Sequence, residues 1–523
     1  MPSTQSEDPA SSFIDEKIGA GQDVPTIVTI DNFRVLGLRP EDEDFYVNYP
    51  QEKRKAIFRK VDMRLIPMLA LFYLVAQLDR SNIGNAKIEG LVDDLNMDGI
   101  QWNIALAIFF IPYILFEIPS NMVLKNFKRP SAYLGVLIVS WGIIMTLTGV
   151  VKNFAGLVAT RVFLGVFESG FFPGAVYLCT LWYMPKDLSL RLACFYCISA
   201  LSGAFSGLLA AAIAKMDGIG GYEGWRWIFI LEGLATVLLG ISSFFFLIDS
   251  PRLSTRWLAP DEIRFLELQL FIKEGGNLKE ETQAMKRRNL WKDLIAVVTN
   301  WRMYILTFIL ICQAACAYGT KFTLPTITKA MGYTNTEAQL MTVPPYVAGA
   351  ISTIILAFLS DKFYWRMPFV ATGLSLVVVG YSIIISLHGK LEENLGLSLF
   401  AVILTCMGIY PLHPTTTSWS SNNLTPSNRR AIGVAFNIAF GNIGGILGSF
   451  MYLEEENPAY YTGFGLSLAL GGVSLMLALF LELSYIWSNK KKAQISEEQV
   501  REQYTEQQLL DMGDKSPLFK HTL

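Results

Sequence analysis

The sequence predicts an all-α membrane protein with twelve transmembrane helices arranged as two six-helix bundles. Three observations carry this. Of 523 residues, 52% are hydrophobic and only 17% are charged, whereas a soluble chain of ordinary composition carries about a quarter charged residues. Mean hydropathy is +0.37. The apolar residues gather in blocks of roughly 18 to 25, the length a helix needs to cross about 30 Å of hydrocarbon, and a polar stretch divides these blocks six and six.

Residues 1–60 are polar, rich in Ser, Asp, Glu and Pro, and contain no apolar run of signal-peptide type. They are expected to be disordered and cytoplasmic, leaving the first transmembrane helix to serve as targeting signal. The first bundle is expected over residues 61–248, with apolar blocks near 64–84, 101–124, 131–151, 154–177, 190–214 and 224–248. A cytoplasmic central loop follows at 249–298, in which Pro260, Asp261 and Glu262 open an amphipathic helical pattern. The second bundle is expected over 299–488, with blocks near 300–321, 338–360, 367–388, 396–417, 430–453 and 462–487, and a polar cytoplasmic tail over 489–523.

Orientation follows from the loops. Lys125, Lys128 and Arg129, then Lys186 and Arg191, Lys362 and Arg366, and Arg429 and Arg430 all fall in alternate connections, on the same side as the basic central loop. The other connections are often acidic, as at Asp93, Asp94 and Asp98 or Glu454 to Glu456. The positive-inside rule then puts both termini and the central loop in the cytoplasm; the plasma membrane is the expected location. It also leaves the acceptor triplet Asn423-Leu424-Thr425 on the inside, unused for glycosylation.

The net charge of −2 gives no sign of a nucleic-acid partner. The six cysteines lie inside apolar blocks without partnering histidines, so they read as packing residues rather than metal or redox ligands. No phosphate-binding glycine loop, zinc-protease helix motif or nucleophile elbow is present. ATP-driven transport and hydrolytic chemistry are disfavoured, and no enzyme activity, metal or organic cofactor is expected.

The halves echo each other. Lys125 and Arg129 follow the second block as Lys362 and Arg366 follow the eighth, and glycine-rich helices follow Arg191 and Arg429. Parallel halves with a site between them near the midplane are a transporter signature. The segment Asp361-Lys362-x-x-x-Arg366 resembles the loop signature of the major facilitator superfamily. The runs Leu78 to Ala86, Arg161-x-x-x-Gly165-x-x-Glu168 and Gly224 to Gly233 tighten the resemblance to its anion:cation symporter family, and to the fungal allantoate and nicotinate permease-like branch. The likeness covers about residues 60–488. The first-half loop departs from it, with Leu124 where the superfamily pattern usually carries an aspartate.

That resemblance implies the major facilitator fold and proton-coupled uptake of a small organic anion, with the proton as the coupling ion. It assigns Arg80 to the substrate carboxylate, Asp79 and Glu168 to proton coupling, and Asp361, Lys362, Arg366, Lys125 and Arg129 to a conformational latch. Physical chemistry agrees with the residue types. A charge at membrane depth costs about 2.5 to 3.5 kcal/mol on insertion scales; an arginine offers a planar donor fork to a carboxylate; and a partly desolvated acid beside it can exchange a proton. Arg161, expected as a substrate contact that also sets the state of Glu168, lies two helical turns before it on one face, the alternative being a structural ion pair between the two.

Further substrate contacts are expected from Tyr113, Tyr318, Lys321, His413 and Asn437. Lys321 could equally snorkel to the outer surface, and His413, between Pro411 and Pro414 where a broken helix could line a cavity, could equally be a packing residue. Glu117 and Glu232 read as structural or transport acids. Phe109, Phe110, Phe171 and Phe172 read as helix-interface or lipid-facing residues. The rival functions are export of a fungal metabolite on the same fold and, less favoured, a non-transporting nutrient receptor.

Overall fold

The computed structural model describes residues 38–124, 127–273, 291–363, 365–425, 427–505, 508–509 and 512–523. Twelve long helices carry the expected blocks: α1 (Gln51–Ile88), α2 (Gly99–Leu124), α3 (Pro130–Thr148), α4 (Phe154–Thr180), α5 (Pro185–Ile213), α6 (Gly224–Phe246), α7 (Trp301–Ala330), α8 (Asn335–Phe363), α9 (Met367–Ser386), α10 (Leu395–Asn422), α11 (Arg429–Met451) and α12 (Tyr461–Lys492). Over the described residues, eleven are long and apolar enough to cross a membrane; α5 contributes the shorter apolar stretch Leu201–Met216.

Local sequence sets the helix ends. Asp98 opens α2 with a capping box, accepting from the Gln101 amide at 2.6 Å while Gln101 accepts from its own at 3.3 Å. Thr334 and Glu337 repeat the device at α8. Pro130 and Pro185 open α3 and α5, where a missing amide hydrogen is harmless. The prolines expected to break α10 do not: the helix runs unbroken through Pro411 and Pro414.

The buried apolar residues form two large cores, one in each half. Glycine lets helices inside the first half meet backbone to backbone. A Cβ on Gly233 of α6 would stand 2.4 Å from the Thr146 amide nitrogen of α3, and one on Gly142 of α3 would stand 2.8 Å from the Val237 nitrogen of α6.

The helix ends at Gln51, Leu124, Phe246, Trp301 and Lys492 share one end of the molecule, here the near face. Contacts between the bundles concentrate toward the opposite, far face. Gly84 of α1 lies so close to α7 that a Cβ would meet the Phe322 carbonyl oxygen at 2.7 Å, and Gly445 of α11 packs on the Phe110 ring of α2. Gly203 and Gly207 of α5 receive Tyr346, Gln339 and Thr342 of α8. Lys87 pairs with Glu454, and Gln339 donates to Glu89 at 2.9 Å. The hydrogen bonds between bundles described here begin at Gln77 of α1 and continue outward, so the bundles are joined from mid-depth to the far face.

The structure corrects the expected domain ends. Residues 1–37 lie outside the described part, but 38–60 are not a disordered tether. Pro40–Val47 is helical and α1 already begins at Gln51. Tyr46 and Tyr49 stack on Phe265 of the central helix Pro260–Lys273, with ring centroids 5.3 and 4.6 Å apart, and Arg264 pairs with Asp42 at 2.6 Å. Aromatic burial therefore orders a stretch whose composition is polar.

The expected polar tail over 489–523 is also structured in part, since α12 continues to Lys492 and residues Gly513–Leu523 dock on the near face of the second bundle. Asn489 exchanges two 2.8 Å hydrogen bonds with the His521 backbone. Trp419 and Asn423 donate to the Thr522 carbonyl at 3.1 and 3.0 Å, and the Arg366 amide donates to the Leu523 carbonyl at 2.5 Å. Asn423 is thus buried and hydrogen-bonded. His521 lies under the Tyr485 ring with its Nε2 3.0 Å from the Arg302 guanidinium. That nitrogen must accept, so the ring is neutral with its proton on Nδ1, facing Asn423 Oδ1 at 3.3 Å. Burial, with Lys492 and Arg302 nearby, pushes its pKa down to about 3.

Candidate functional site

The site lies between α1, α2, α4 and α7, at the depth where the bundles first meet. α1 crosses the molecule with Asp79 and Arg80 consecutive, so their side chains leave the helix about 100° apart. Both are buried and they serve different surroundings.

Arg80 faces the bundle interface. Its Nε donates to Glu168 of α4 in a buried ion pair, and its Nη1 donates to the Tyr318 hydroxyl of α7, in the other bundle, at 3.0 Å. The guanidinium lies over the rings of Tyr113 and Phe109 of α2, at 4.5 and 5.1 Å from their centroids. Phe110 meets Tyr318 edge-on at 4.8 Å. Two turns before Glu168, Arg161 is buried with Nε and Nη2 lacking any hydrogen-bond partner within the protein. Arg80 and Arg161 line one cavity of about 10 Å³, walled by Ile83, Leu106, Phe109, Phe110 and Phe322. In this conformation it has room for about one water.

Lys321, one turn beyond Tyr318 on α7, does not snorkel outward. It is buried, and its Nζ donates to both the carbonyl and the side-chain oxygen of Gln77, each at 3.0 Å. An ammonium group of the second bundle therefore rests on neutral oxygens of the first, beside the arginines.

Asp79 points away from this cavity into the first bundle. Trp141 of α3 and Thr236 of α6 both approach its Oδ2 at 3.2 Å, and Oδ1 has no partner in the protein. Among the described residues, Arg80, Arg161, Tyr113, Tyr318, Lys321 and Glu168 are thus brought together, while Asp79 stands behind them.

Two expected substrate contacts fall elsewhere. Asn437 is buried inside the second bundle, accepting from Thr307 at 2.6 Å and donating to Ser420 at 2.7 Å, so its carboxamide is consumed by helix packing. His413 is half-buried on α10 and does not line the Arg80–Arg161 cavity. Of the latch residues, Lys125 lies outside the described part, and Arg129, Asp361 and Lys362 are exposed at the near face. Arg366 is buried and pairs with Asp361, and it donates to Ser360 at 2.9 Å, so this pairing closes within one bundle.

This architecture is shared with known proteins. The family profile described as Major Facilitator Superfamily matches residues 69–449. The MFS-type transporter cnsO of Penicillium expansum is 32% identical over 483 residues, covering 90% of this chain and 91% of that protein. The chain belongs to the major facilitator superfamily. The Major facilitator-type transporter hxnP of Emericella nidulans is 30% identical over 92% of this chain and 96% of its own length. A solved structure of a bacterial homolog to the human lysosomal transporter Spinster, in an inward-facing and occupied conformation, superposes with a TM-score of 0.60 at 16% identity, covering 80% of this chain and 95% of that one. That likeness concerns the fold alone.

For a superfamily transporter the cavity walls matter as much as its charges, and here the sequence reading missed several. Phe109 and Phe110, expected at helix interfaces or facing lipid, both line the Arg80 pocket, and Phe110 also packs where α2 meets α7 and α11. Phe109 and Tyr113 are one helical turn apart, a spacing that puts them on the same face. Gln77 and Phe322 carried no signal at all, because a neutral amide and one more phenylalanine in an apolar helix do not stand out.

Proposed function

We propose that this superfamily transporter carries a small organic anion by alternating access, with a carboxylate held by Arg80 and Arg161 and a proton as coupling ion. The observation that carries the reading is Arg161. A buried guanidinium with unpaired nitrogens, sharing a cavity with a second arginine, is costly unless an anion completes it. A planar carboxylate matches the guanidinium fork. The cavity in this conformation is too small for such a ligand, as expected if the bundles separate to admit one.

Glu168 already occupies one donor of Arg80. An arriving carboxylate competes with it, and a displaced Glu168 is stabilised by taking up a proton, which links anion binding to protonation. Lys321 and Tyr318 complete the site from the second bundle, so an anion bound between them draws the bundles together. The motifs around Leu78 to Ala86, Arg161 to Glu168 and Gly224 to Gly233 favour the anion:cation symporter family and its allantoate and nicotinate-like branch. The basic loops support a cytoplasmic near face and cytoplasmic termini, and the direction proposed is uptake, across the plasma membrane.

The test is uptake by cells stripped of their own carriers, screened with carboxylates and vitamins at pH 5 and pH 7. We expect one anion to accumulate at pH 5 and the accumulation to collapse with an uncoupler. No uptake of any candidate by surface-localised protein, with efflux from preloaded vesicles instead, would replace this reading with export.

A further inference from the structure

We propose that Glu232 is a positioning residue for proton coupling, forming with Asp79 one buried acid pair in the seam between α1 and α6. The inference rests on the proton-coupled reading above and gives it a second component, set back from the anion cavity.

Two rungs build the seam. Asp79 and Asn82 are one turn apart on α1, and Glu232 and Thr236 are one turn apart on α6. The Thr236 hydroxyl stands 3.2 Å from Asp79 Oδ2 and 2.9 Å from the Glu232 backbone carbonyl, sharing its one proton between them, and Asn82 Nδ2 donates to Glu232 Oε2 at 2.5 Å. Beyond the second rung, Ser206 of α5 donates to Asn82 Oδ1 at 3.1 Å, and Asn85 donates to Ser206 at 2.7 Å. Each donor in this chain points toward Glu232. Gly233, beside it, closes α6 onto α3 and leaves no room for lipid.

Both acids are buried, and neither has a cation hydrogen-bonded to it among the described residues. Asp79 Oδ1 and Glu232 Oε1 have no partner within the protein. The charged groups facing Asp79 are Glu232 from α6 and Glu168 and Arg161 from α4; Glu232 faces Asp79. Two ionised carboxylates here would each bear a desolvation penalty of several kcal/mol plus mutual repulsion. The pair is therefore suited to carry at most one negative charge, and the charge of one acid sets the pH at which the other gives up its proton. Asp79 adjoins Arg80 on the same turn of α1, so a change at the anion site reaches the pair through one helix.

The test is the pH profile of uptake, measured for the wild type, Glu232→Gln and Thr236→Val at equal surface level. Glu232→Gln keeps an acceptor for Asn82 but removes the charge, and its profile should move about one pH unit to the acid side. Thr236→Val removes a donor from Asp79, and its profile should move to the alkaline side. Substrate exchange at equal pH on both sides should persist in Glu232→Gln. A Glu232→Gln profile superimposable on wild type overturns the proposal and leaves Glu232 a packing group. Should Glu232→Gln fail to reach the membrane, Asn82→Ala decides: it removes the donor that holds the Glu232 carboxyl, so a profile displaced from wild type supports the pair and an unshifted one overturns it. A wild-type profile flat in pH is a separate failure, of proton coupling itself.

Discussion

Replacing Arg80 with lysine tests the anion site most directly, because charge is kept and geometry is lost. Arg80 spends Nε on Glu168 and Nη1 on Tyr318, in two directions, while its plane covers Tyr113 at 4.5 Å. A lysine ammonium on a flexible stem cannot hold both partners and stack as well. Nor can it give a substrate carboxylate both bonds of the guanidinium fork: losing one charge-assisted hydrogen bond to the anion costs about 1.5 to 3 kcal/mol, and losing the cation–ring contact that positions the donor costs about 1 kcal/mol more. A loss of about 3 kcal/mol in anion binding corresponds to roughly a hundredfold rise in KM. The assay is initial-rate uptake at pH 5 against substrate concentration, normalised to surface protein. Glu168 keeps a nearby cation, so the variant should fold; Arg80→Ala would strand that carboxylate and be destabilised by about 3 to 5 kcal/mol. A KM for Arg80→Lys within threefold of wild type would refute the placement of substrate at this guanidinium.

Other expectations follow from the same geometry. Lys321→Met should raise KM about tenfold, the equivalent of one hydrogen bond to a charged group, with Lys321→Arg recovering part; equal kinetics in Lys321→Met would remove this residue from the site. Gly84→Ala puts a Cβ 2.7 Å from the Phe322 carbonyl, so the bundles should part more often at the far face. Labelling of an Ile83→Cys probe, on a background without native cysteines, should then rise several-fold, and unchanged labelling would contradict a tight α1–α7 crossing. The docked tail should be pH-sensitive. His521 has a pKa pushed down to about 3 by burial, below its ordinary value of about 6.5. Its contribution is therefore complete above about pH 6.5 and is lost as pH falls toward 3. Proteolytic release of the tail should become easier by about 1.4 kcal/mol between pH 7.5 and 5.5; that pH step should vanish in His521→Ala, and a variant that kept it would place the sensitivity elsewhere.

The membrane architecture was legible because hydropathy blocks have a length fixed by the bilayer and loop charges have a fixed sign preference. The clustering of the arginines with Glu168 was legible for a related reason: Arg161 and Glu168 are the charges of α4, and Asp79 and Arg80 those of the apolar part of α1, where a charge needs a purpose. Asn437 had the same credentials as a polar residue in a helix, yet Thr307 and Ser420 use up its hydrogen-bonding groups, a pairing across helices that no local pattern encodes. The order of residues 38–60 comes from Tyr46 and Tyr49 meeting Phe265, more than 200 positions away in sequence, and the docking of His521 depends on Asn423 and Asn489 in the same way. Composition describes a segment by itself, whereas these segments are ordered by what they touch.

The consecutive pair Asp79-Arg80 shows how the site can link two events without placing them in one pocket. At about 100° per residue, a helix passing between two environments offers each neighbour a different side. Arg80 is turned to the bundle interface and reaches the second bundle through Tyr318; Asp79 is turned inward to Trp141 and Thr236. Any motion of α1 that follows closure on an anion must carry Asp79 with it, because one backbone turn holds both. Hydrogen bonds at 3.2 Å to Asp79 would change before any gross rearrangement of the first bundle was needed. Gly84 and Lys87, further along the same helix, tie it to Phe322 and Glu454 at the far face. The proposed anion site, the proposed acid seam and the far-face closure thus lie on successive turns of α1, which makes that helix the element whose displacement should be measured first when substrate binds.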